Sequence, residues 1–162
     1  KPDVVMKKPA KSEFVQALMK DHMIFKYVTN YVLEHMSIDS AATYRFGDYD
    51  KFVAFCKSKN YSFISKSEKA VEKLQKELNE ISLEEKSSTA IESVKNLIAE
   101  DKADDYAEHK DVLIDLIEEE IISRYYYQRG KILNNLNSDP EVQEAISILR
   151  DTDRYYAILN PA

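Results

Sequence analysis

The chain has 162 residues, of which 44% are hydrophobic and 32% are charged, and its formal net charge is −6. This length supports one hydrophobic core, and the composition excludes disorder of the chain as a whole. Two glycines and four prolines are too few for a fold made of many tight turns, so long helices are favoured over a β-sandwich or barrel. No apolar stretch approaches the roughly 18 uncharged residues of a membrane-spanning helix.

Residues 1–11 are predicted to form an extended segment followed by a linker. Pro2, Pro9 and four lysines surround a short apolar run at residues 4–6, and proline disfavours helix at its own position and at the residue before it. The chain starts at Lys1 without an initiator methionine. We therefore expect it to be a piece of a longer polypeptide, with one helical domain over residues 12–162.

Helical periodicity begins after Ser12, which is a predicted N-cap. Apolar residues then recur at spacings of three and four as far as residue 36, but the pattern slips at Asp21 and His22, where one helix is expected to give way to another. Residues 37–47 are predicted to be irregular. Asp48 is the predicted N-cap of a further helix over residues 49–59.

Two capping-box patterns precede the next two predicted helices. Glu68 follows Ser65 by three residues, and Glu85 follows Ser82 by three. At this spacing the serine hydroxyl and the glutamate carboxylate each accept a hydrogen bond from the other residue's backbone N–H. The first box predicts a helix to about residue 80, and the second predicts a helix to about residue 98.

A long helix over residues 105–137 is predicted at the centre of the fold. Its apolar residues recur every three, four or seven positions along one face: Leu113, Ile117, Ile121, Tyr125, Ile132 and Leu136. A second apolar line makes most of the circumference apolar, which is typical of a helix packed between neighbours. Because such a helix would span about 50 Å, we expect it either to contact something outside the chain or to bend at Gly130.

The chain is predicted to end in two short helices, the first with Asp139 as its cap and Pro140 at its first position. The second has Asp151 or Thr152 as its cap. Together these patterns predict an all-α fold, an irregular bundle of about five to seven helices with one long central helix.

The acidic residues are concentrated between Glu100 and Glu120. This stretch has ten acids against two lysines, a local charge of −8. Such a field repels phosphate backbones, so we predict no nucleic-acid partner. The acids themselves are interpreted as a solvated helix face.

The sequence predicts no catalytic, cofactor-binding or metal-binding residues. The three histidines form no Glu-x-x-His pair, and Asp105 with His109 supplies two candidate ligands, too few for a metal site. Cys56, the single cysteine, lies among aromatic residues and is interpreted as a buried, inert thiol. The serines fall mostly at helix starts, where capping explains them.

Seven residues are candidates for an interface or a structural role. Glu120 and Arg124 follow one another at four-residue spacing, with Gln128 one step further, and form a predicted polar ladder. The other five are tyrosines of a predicted aromatic contact patch: Tyr125, Tyr126, Tyr127, Tyr155 and Tyr156. Two interpretations remain open for the tyrosines, the rim of the core or an interface to a partner.

Four stretches resemble the carboxy-terminal processing (tail-specific) serine peptidases. Residues 2–5 resemble the end of the catalytic domain, where a similar Pro-Asp segment enters its last strand. Residues 12–31, 44–64 and 119–130 are similar to the helical C-terminal domain of envelope members of this family. The resemblance implies that residues 1–11 end an upstream protease domain and that residues 12–162 form the helical C-terminal domain.

The family cleaves proteins near their C-termini with a serine that a lysine activates, usually beside a PDZ module. No residue of this chain matches that dyad, so the resemblance implies a non-catalytic scaffold, regulatory or substrate-contact module of a serine protease. Its expected partners are the upstream protease and PDZ domains and a protein substrate, and its expected location is the periplasm or cell envelope. The alternative is an independent helical interaction domain, dimeric through its tyrosine-rich face.

Overall fold

The computed structural model describes residues 3–6, 12–136 and 139–160, and nine helices lie within these ranges. They are α1 (Glu13–Lys20), α2 (Met23–Glu34), α3 (Tyr49–Ser58), α4 (Lys66–Glu80), α5 (Glu84–Ala103), α6 (Asp105–Glu108), α7 (Lys110–Asn135), α8 (Pro140–Arg150) and α9 (Thr152–Leu159). No strand occurs among the described residues. The predicted all-α fold with one long helix is confirmed, with more helices than the five to seven expected.

Four predicted helix starts are confirmed by the hydrogen bonds of their caps. The Ser12 hydroxyl accepts a hydrogen bond from the N–H of Val15, and the Ser65–Glu68 capping box forms in full. Asp139 and Asp151 cap α8 and α9 through their carboxylates. The predicted break at His22 is also confirmed, because this residue has a φ of 57° between α1 and α2.

Of the two other predicted caps, Ser82 is wrong, whereas Asp48 occupies its predicted N-cap position without a side-chain capping bond. Ser82 has a φ of 58°, a left-handed conformation that ends α4, so Leu83 occupies the N-cap position of α5 without a side-chain hydrogen bond. The side chain of Asp48 forms no capping bond at the start of α3. Its carboxylate instead accepts a 2.9 Å hydrogen bond from the ammonium of Lys51.

The long helix begins later than predicted and is interrupted at a different residue. One short helix, α6, precedes it, and α7 begins at Lys110 rather than at residue 105, while residue 137 lies outside the described residues. The interruption lies at Tyr127, whose φ of 56° and ψ of −158° are non-helical, and not at Gly130 as expected. Leu113, Ile117 and Ile121, which precede this break, are fully buried. Ile132, which follows it, no longer lies on the predicted apolar line and is half exposed.

The chain divides into two compact units, and the division passes through α2 and α7. The first unit comprises the described parts of residues 1–10, 28–46 and 117–162, and the second comprises those of residues 11–27 and 47–116. Buried residues of the first unit include Val28, Phe46, Ile117, Ile121 and Ile122. Buried residues of the second unit include Val15, Leu18, Phe52, Cys56 and Leu113.

None of the helices in the described ranges is both long enough and apolar enough to cross a membrane.

Candidate functional site

In the first unit, side chains of α7 bind the backbone of the irregular segment 35–46. The Tyr125 hydroxyl donates a short hydrogen bond to the carbonyl of His35. The Tyr126 hydroxyl lies 2.9 Å from the carbonyl oxygen of Ile38 and 3.0 Å from that of the next residue. Carbonyls outside helices and sheets need other donors when they are covered, so these two tyrosines have a structural task within the chain.

Two buried polar side chains of α7 also bind the backbone of segment 35–46, and neither was among the candidate residues predicted from the sequence. The amide of Asn134 donates a 2.9 Å hydrogen bond to the carbonyl of Ala41. The carboxylate of Glu118, only 5% exposed, accepts a 2.6 Å hydrogen bond from the N–H of Phe46. The signal was present, since Glu118 stands three and four residues before the buried Ile121 and Ile122 and therefore shares their face.

Glu118 departs furthest from the interpretation of residues 100–120 as a solvated acidic face, because it is buried whereas the other acids of this stretch are half-buried or exposed. Its second carboxylate oxygen lies 3.7 Å from the guanidinium of Arg45, which is itself well exposed. An exposed arginine at this distance contributes little to stability. The hydrogen bond from the N–H of Phe46 therefore stabilises this buried acid more than the contact with Arg45 does.

The Glu120–Arg124 pair of the predicted ladder is present and half buried. The Nε and Nη2 atoms of Arg124 lie 3.0 and 2.9 Å from one carboxylate oxygen of Glu120. Gln128 is exposed and follows the non-helical Tyr127, which shifts it out of the four-residue register. The ladder therefore consists of one ion pair.

The other three candidate tyrosines have exposed rings. Tyr127 is 77% exposed at the break in α7. Tyr155 and Tyr156 lie on α9, with their ring centroids 5.5 Å apart in an edge-to-face arrangement. An interface role for these three tyrosines remains a prediction.

The second unit contains a cavity of about 360 Å³ that the sequence did not indicate. Its lining residues include four aromatic residues, Phe14, Tyr61, Phe63 and Tyr106, and four polar ones, Ser62, Glu68, Lys102 and Asp105. We call it the aromatic cavity. The spacing of Ser65 and Glu68 predicts the capping box, but it does not indicate that Lys102 also binds the Glu68 carboxylate.

The ammonium of Lys102 is fully engaged at the edge of the aromatic cavity. It donates to the carbonyl of Phe63 at 2.6 Å and to both carboxylate oxygens of Glu68, at 3.0 and 2.8 Å. It also lies 4.4 Å from the centroid of the Phe63 ring. Burial raises the pKa of Glu68, but the hydrogen bonds from Lys102 and Ser65 outweigh it and leave this pKa below its ordinary value.

Asp105, another lining residue of the aromatic cavity, has a different electrostatic setting. Burial is the largest influence on this carboxyl and raises its pKa. Its nearest ion-pair partner is His109, whose Nε2 lies 3.8 Å from a carboxylate oxygen, and His109 is charged only when protonated. The pair lies half buried, not on an exposed face as the sequence suggested.

Cys56 is buried in the second unit, and burial raises the pKa of its thiol to about 11. The thiol is therefore protonated at neutral pH and is a poor nucleophile. Across the described ranges, no three histidine, cysteine, aspartate or glutamate side chains are grouped closely enough to share a metal ion.

A second cavity, of about 420 Å³, lies in the first unit. It is lined by residues 4–6 and by four residues of α8, namely Glu141, Glu144, Ala145 and Ile148. Residues 4–6 are neither helical nor part of a strand. The short apolar run near the start of the chain thus faces one side of α8.

Comparison with known proteins identifies the chain at the level of a domain family. No curated protein and no solved structure matches it. A family model described as "Probable PDZ-protease, C-terminal helical domain" matches residues 14–149. This match covers most of the chain and confirms the resemblance of its helical segments, so the chain belongs to the family of C-terminal helical domains of probable PDZ-proteases.

Proposed function

We propose that the chain is the non-catalytic support domain of a carboxy-terminal processing serine protease in the bacterial envelope. In this role it holds the end of the protease domain and contributes no group to bond cleavage. The cavity on α8 carries the proposal, because residues 4–6 line it and overlap residues 2–5, the segment that resembles the end of the protease domain. The serine mechanism and the envelope location rest on the same resemblance.

The contacts of the polar side chains on α7 are those expected of a non-catalytic support domain. Glu118, Tyr125, Tyr126 and Asn134 bind backbone groups of segment 35–46, so these side chains are occupied in holding the fold. Cys56 is a buried thiol with a raised pKa. A catalytic nucleophile requires an accessible group activated by a neighbouring base or a lowered pKa, and Cys56 has the opposite environment.

The experiment compares proteolysis by three versions of the full-length protease. Ile148→Lys places a charge in the cavity on α8, whereas Leu149→Lys places the same charge at the next residue, which is 68% exposed. We expect Ile148→Lys to lower the rate of cleavage of a protein substrate, because Ile148 is half-buried and a charge there weakens the apolar contact between residues 4–6 and α8. Leu149→Lys should leave the rate unchanged.

Equal rates for both variants and the unmodified protease would contradict this role for α8. A truncation that ends before Ser12 provides the second arm. If that truncated protease cleaves the same substrates at the same rate, the domain has no role in proteolysis. Cleavage of peptide bonds by the isolated 162-residue chain, abolished by changing one of its own side chains, would contradict the non-catalytic assignment.

A self-associating interaction domain is the second candidate function. It is favoured by the exposed apolar side chains of α8 and α9, among them Leu149, Tyr156 and Leu159. Sedimentation equilibrium of the isolated chain at increasing concentration tests this function. Dimer formation that Tyr156→Ser weakens would support it, and a monomer at every concentration would exclude it.

A further inference from the structure

We propose that the aromatic cavity of the second unit binds an alkylammonium group, specifically the side chain of a lysine from another polypeptide. This inference goes beyond the support role and does not depend on α8. The site combines aromatic walls with the Asp105 carboxylate at a cavity of about 360 Å³. That volume lies near the lower end of the roughly 300–1,000 Å³ range of small-molecule sites.

Three of the four aromatic residues that line the cavity have rings in contact with one another through Phe14. Phe14 lies edge-to-face with Tyr106 at a centroid distance of 4.7 Å and is tilted against Phe63 at 5.7 Å. Aromatic faces attract organic cations through the ring quadrupole. The molecule already contains one example, because the ammonium of Lys102 lies over the Phe63 ring at 4.4 Å while binding Glu68.

The polar groups of the cavity select for a cation rather than an anion. Lys102 has three N–H donors, and its three acceptors are the carbonyl of Phe63 and the two carboxylate oxygens of Glu68. It therefore has no donor left for an anionic ligand. Because Glu68 and Lys102 cancel each other's charge, Asp105 supplies the remaining negative charge at the wall.

A hydrated metal ion fits the site less well than an ammonium. Calcium and magnesium require six or more oxygen ligands, and the described residues contain no cluster of three metal-ligating side chains. Four rings and one carboxylate match an alkyl chain that ends in a charge. Between Glu100 and Asp115, within the same unit, seven acids stand against two lysines, and this local charge of −5 would attract a basic polypeptide toward the cavity.

The electrostatic setting of Asp105 favours a cationic ligand. Burial raises the pKa of this carboxyl, and neighbouring Asp101 and Glu108 raise it further, whereas His109 and Lys102 lower it. An ammonium bound beside Asp105 would stabilise the carboxylate form and bring this pKa down. A cationic ligand would therefore offset the free-energy cost of burying the Asp105 carboxylate.

The test uses the isolated 162-residue chain and two probes that differ by one acetyl group. The first probe is Nα-acetyl-lysine N-methylamide, and the second carries an additional acetyl group on the side-chain nitrogen, which removes its charge. Binding is followed by the NMR chemical shifts of Phe14, Phe63 and Tyr106. We expect saturable shifts with the first probe and at least about tenfold weaker binding of the second.

A matched pair of variants locates the site. Asp105→Asn removes the charge at the cavity wall, and Asp104→Asn removes the same charge from the adjacent exposed residue. We expect at least about tenfold weaker binding of the charged probe to Asp105→Asn and unchanged binding to Asp104→Asn. If Asp105→Asn fails to fold, comparison of the two probes on the unmodified chain still decides the proposal.

Three results would overturn the inference. The first is equal binding of the charged and acetylated probes to the unmodified chain. The second is equal affinity of the Asp105→Asn and Asp104→Asn variants for the charged probe. The third is the absence of any saturable shift at the three aromatic residues.

Discussion

The buried carboxylate of Glu118 accepts a 2.6 Å hydrogen bond from the backbone N–H of Phe46, a residue 72 positions earlier in the chain. Phe46 ends the irregular segment that Tyr125, Tyr126 and Asn134 also bind. Four side chains of one helix thus satisfy backbone groups of a segment without regular structure. The stability of the first unit therefore depends on polar contacts as well as on its apolar core.

Glu118→Ala should destabilise the chain more than Glu118→Gln. Alanine removes the carboxylate that accepts the buried hydrogen bond from the N–H of Phe46, which costs about 1–3 kcal/mol, whereas glutamine retains a carbonyl oxygen at a similar position. Unfolding in urea, followed by circular dichroism, measures the loss. The control is Asp111→Ala, which removes an exposed acid from the same helix and should change the free energy of unfolding by about 0.5 kcal/mol or less.

Equal urea midpoints for Glu118→Ala and Asp111→Ala would show that the bond to Phe46 does not stabilise the fold.

Gly130→Ala should destabilise the first unit because no space exists for a side chain there. A Cβ atom at Gly130 would lie 2.3 Å from the Cβ of Tyr126 and 2.9 Å from the Cγ2 of Ile122. Relieving such contacts typically costs about 1–3 kcal/mol. Thermal unfolding of the variant measures this cost as a lower midpoint.

Gly47→Ala is the matched control for the glycine experiment. Nothing lies within 4 Å of a Cβ atom at Gly47, and this glycine does not have a positive φ. Alanine restricts the unfolded chain and should leave the stability unchanged or raise it by up to about 1 kcal/mol. A larger loss at Gly47 than at Gly130 would refute the packing argument.

The parts of the fold that the sequence predicted are those decided by near neighbours. Ser65 and Glu68 cap α4 across three residues, and Asp139 with Pro140 starts α8, because each device needs only the residues beside it. The same pattern at Ser82 and Glu85 is wrong because Ser82 ends α4 in a left-handed conformation. One residue cannot both end a helix that way and hold the extended N-cap geometry of the next.

The candidate site depended on contacts that spacing does not encode. Tyr126 was singled out for its aromatic ring, yet its hydroxyl binds the carbonyl of Ile38, 88 residues away. Lys102 reaches Glu68 across 34 residues. Such contacts follow from how helices pack, and the break at Tyr127 shows that even the register along one helix was not fixed by its apolar pattern.

Tyr126→Phe should destabilise the first unit through the loss of its hydroxyl. The carbonyls of Ile38 and Asp39 then lose the donor they share, which costs about 0.5–1.5 kcal/mol. Tyr125→Phe removes the donor to the carbonyl of His35 and should have a similar effect. Urea unfolding of each variant measures the loss.

Tyr127→Phe removes a hydroxyl from the next position of the same helix, where the side chain is largely exposed. Its free energy of unfolding should stay within about 0.5 kcal/mol of the unmodified chain. If Tyr127→Phe were as destabilising as Tyr126→Phe, the hydrogen bonds to segment 35–46 would not explain the loss.

Protonation of Glu68 in acid should make the second unit less stable. Burial raises its pKa, but the hydrogen bonds from Lys102 and the capping bond from Ser65 together lower it below the ordinary value of 4.5. A carboxylate with a lowered pKa in the folded state stabilises the fold above its unfolded-state pKa. This stabilisation is lost as the pH falls through the folded-state pKa, when the carboxylate that binds Lys102 becomes protonated.

The measurement is the free energy of unfolding of the unmodified chain and of Glu68→Gln between pH 7 and pH 3. We expect the unmodified chain to be more stable at pH 7 and the difference to shrink below about pH 4.5. Glu72→Gln, one turn later on α4 and exposed, is the control for loss of one acid from this helix. Because glutamine cannot titrate, a difference between the unmodified chain and Glu68→Gln that stays constant down to pH 3 would mean that the Glu68–Lys102 contact does not couple protonation to folding.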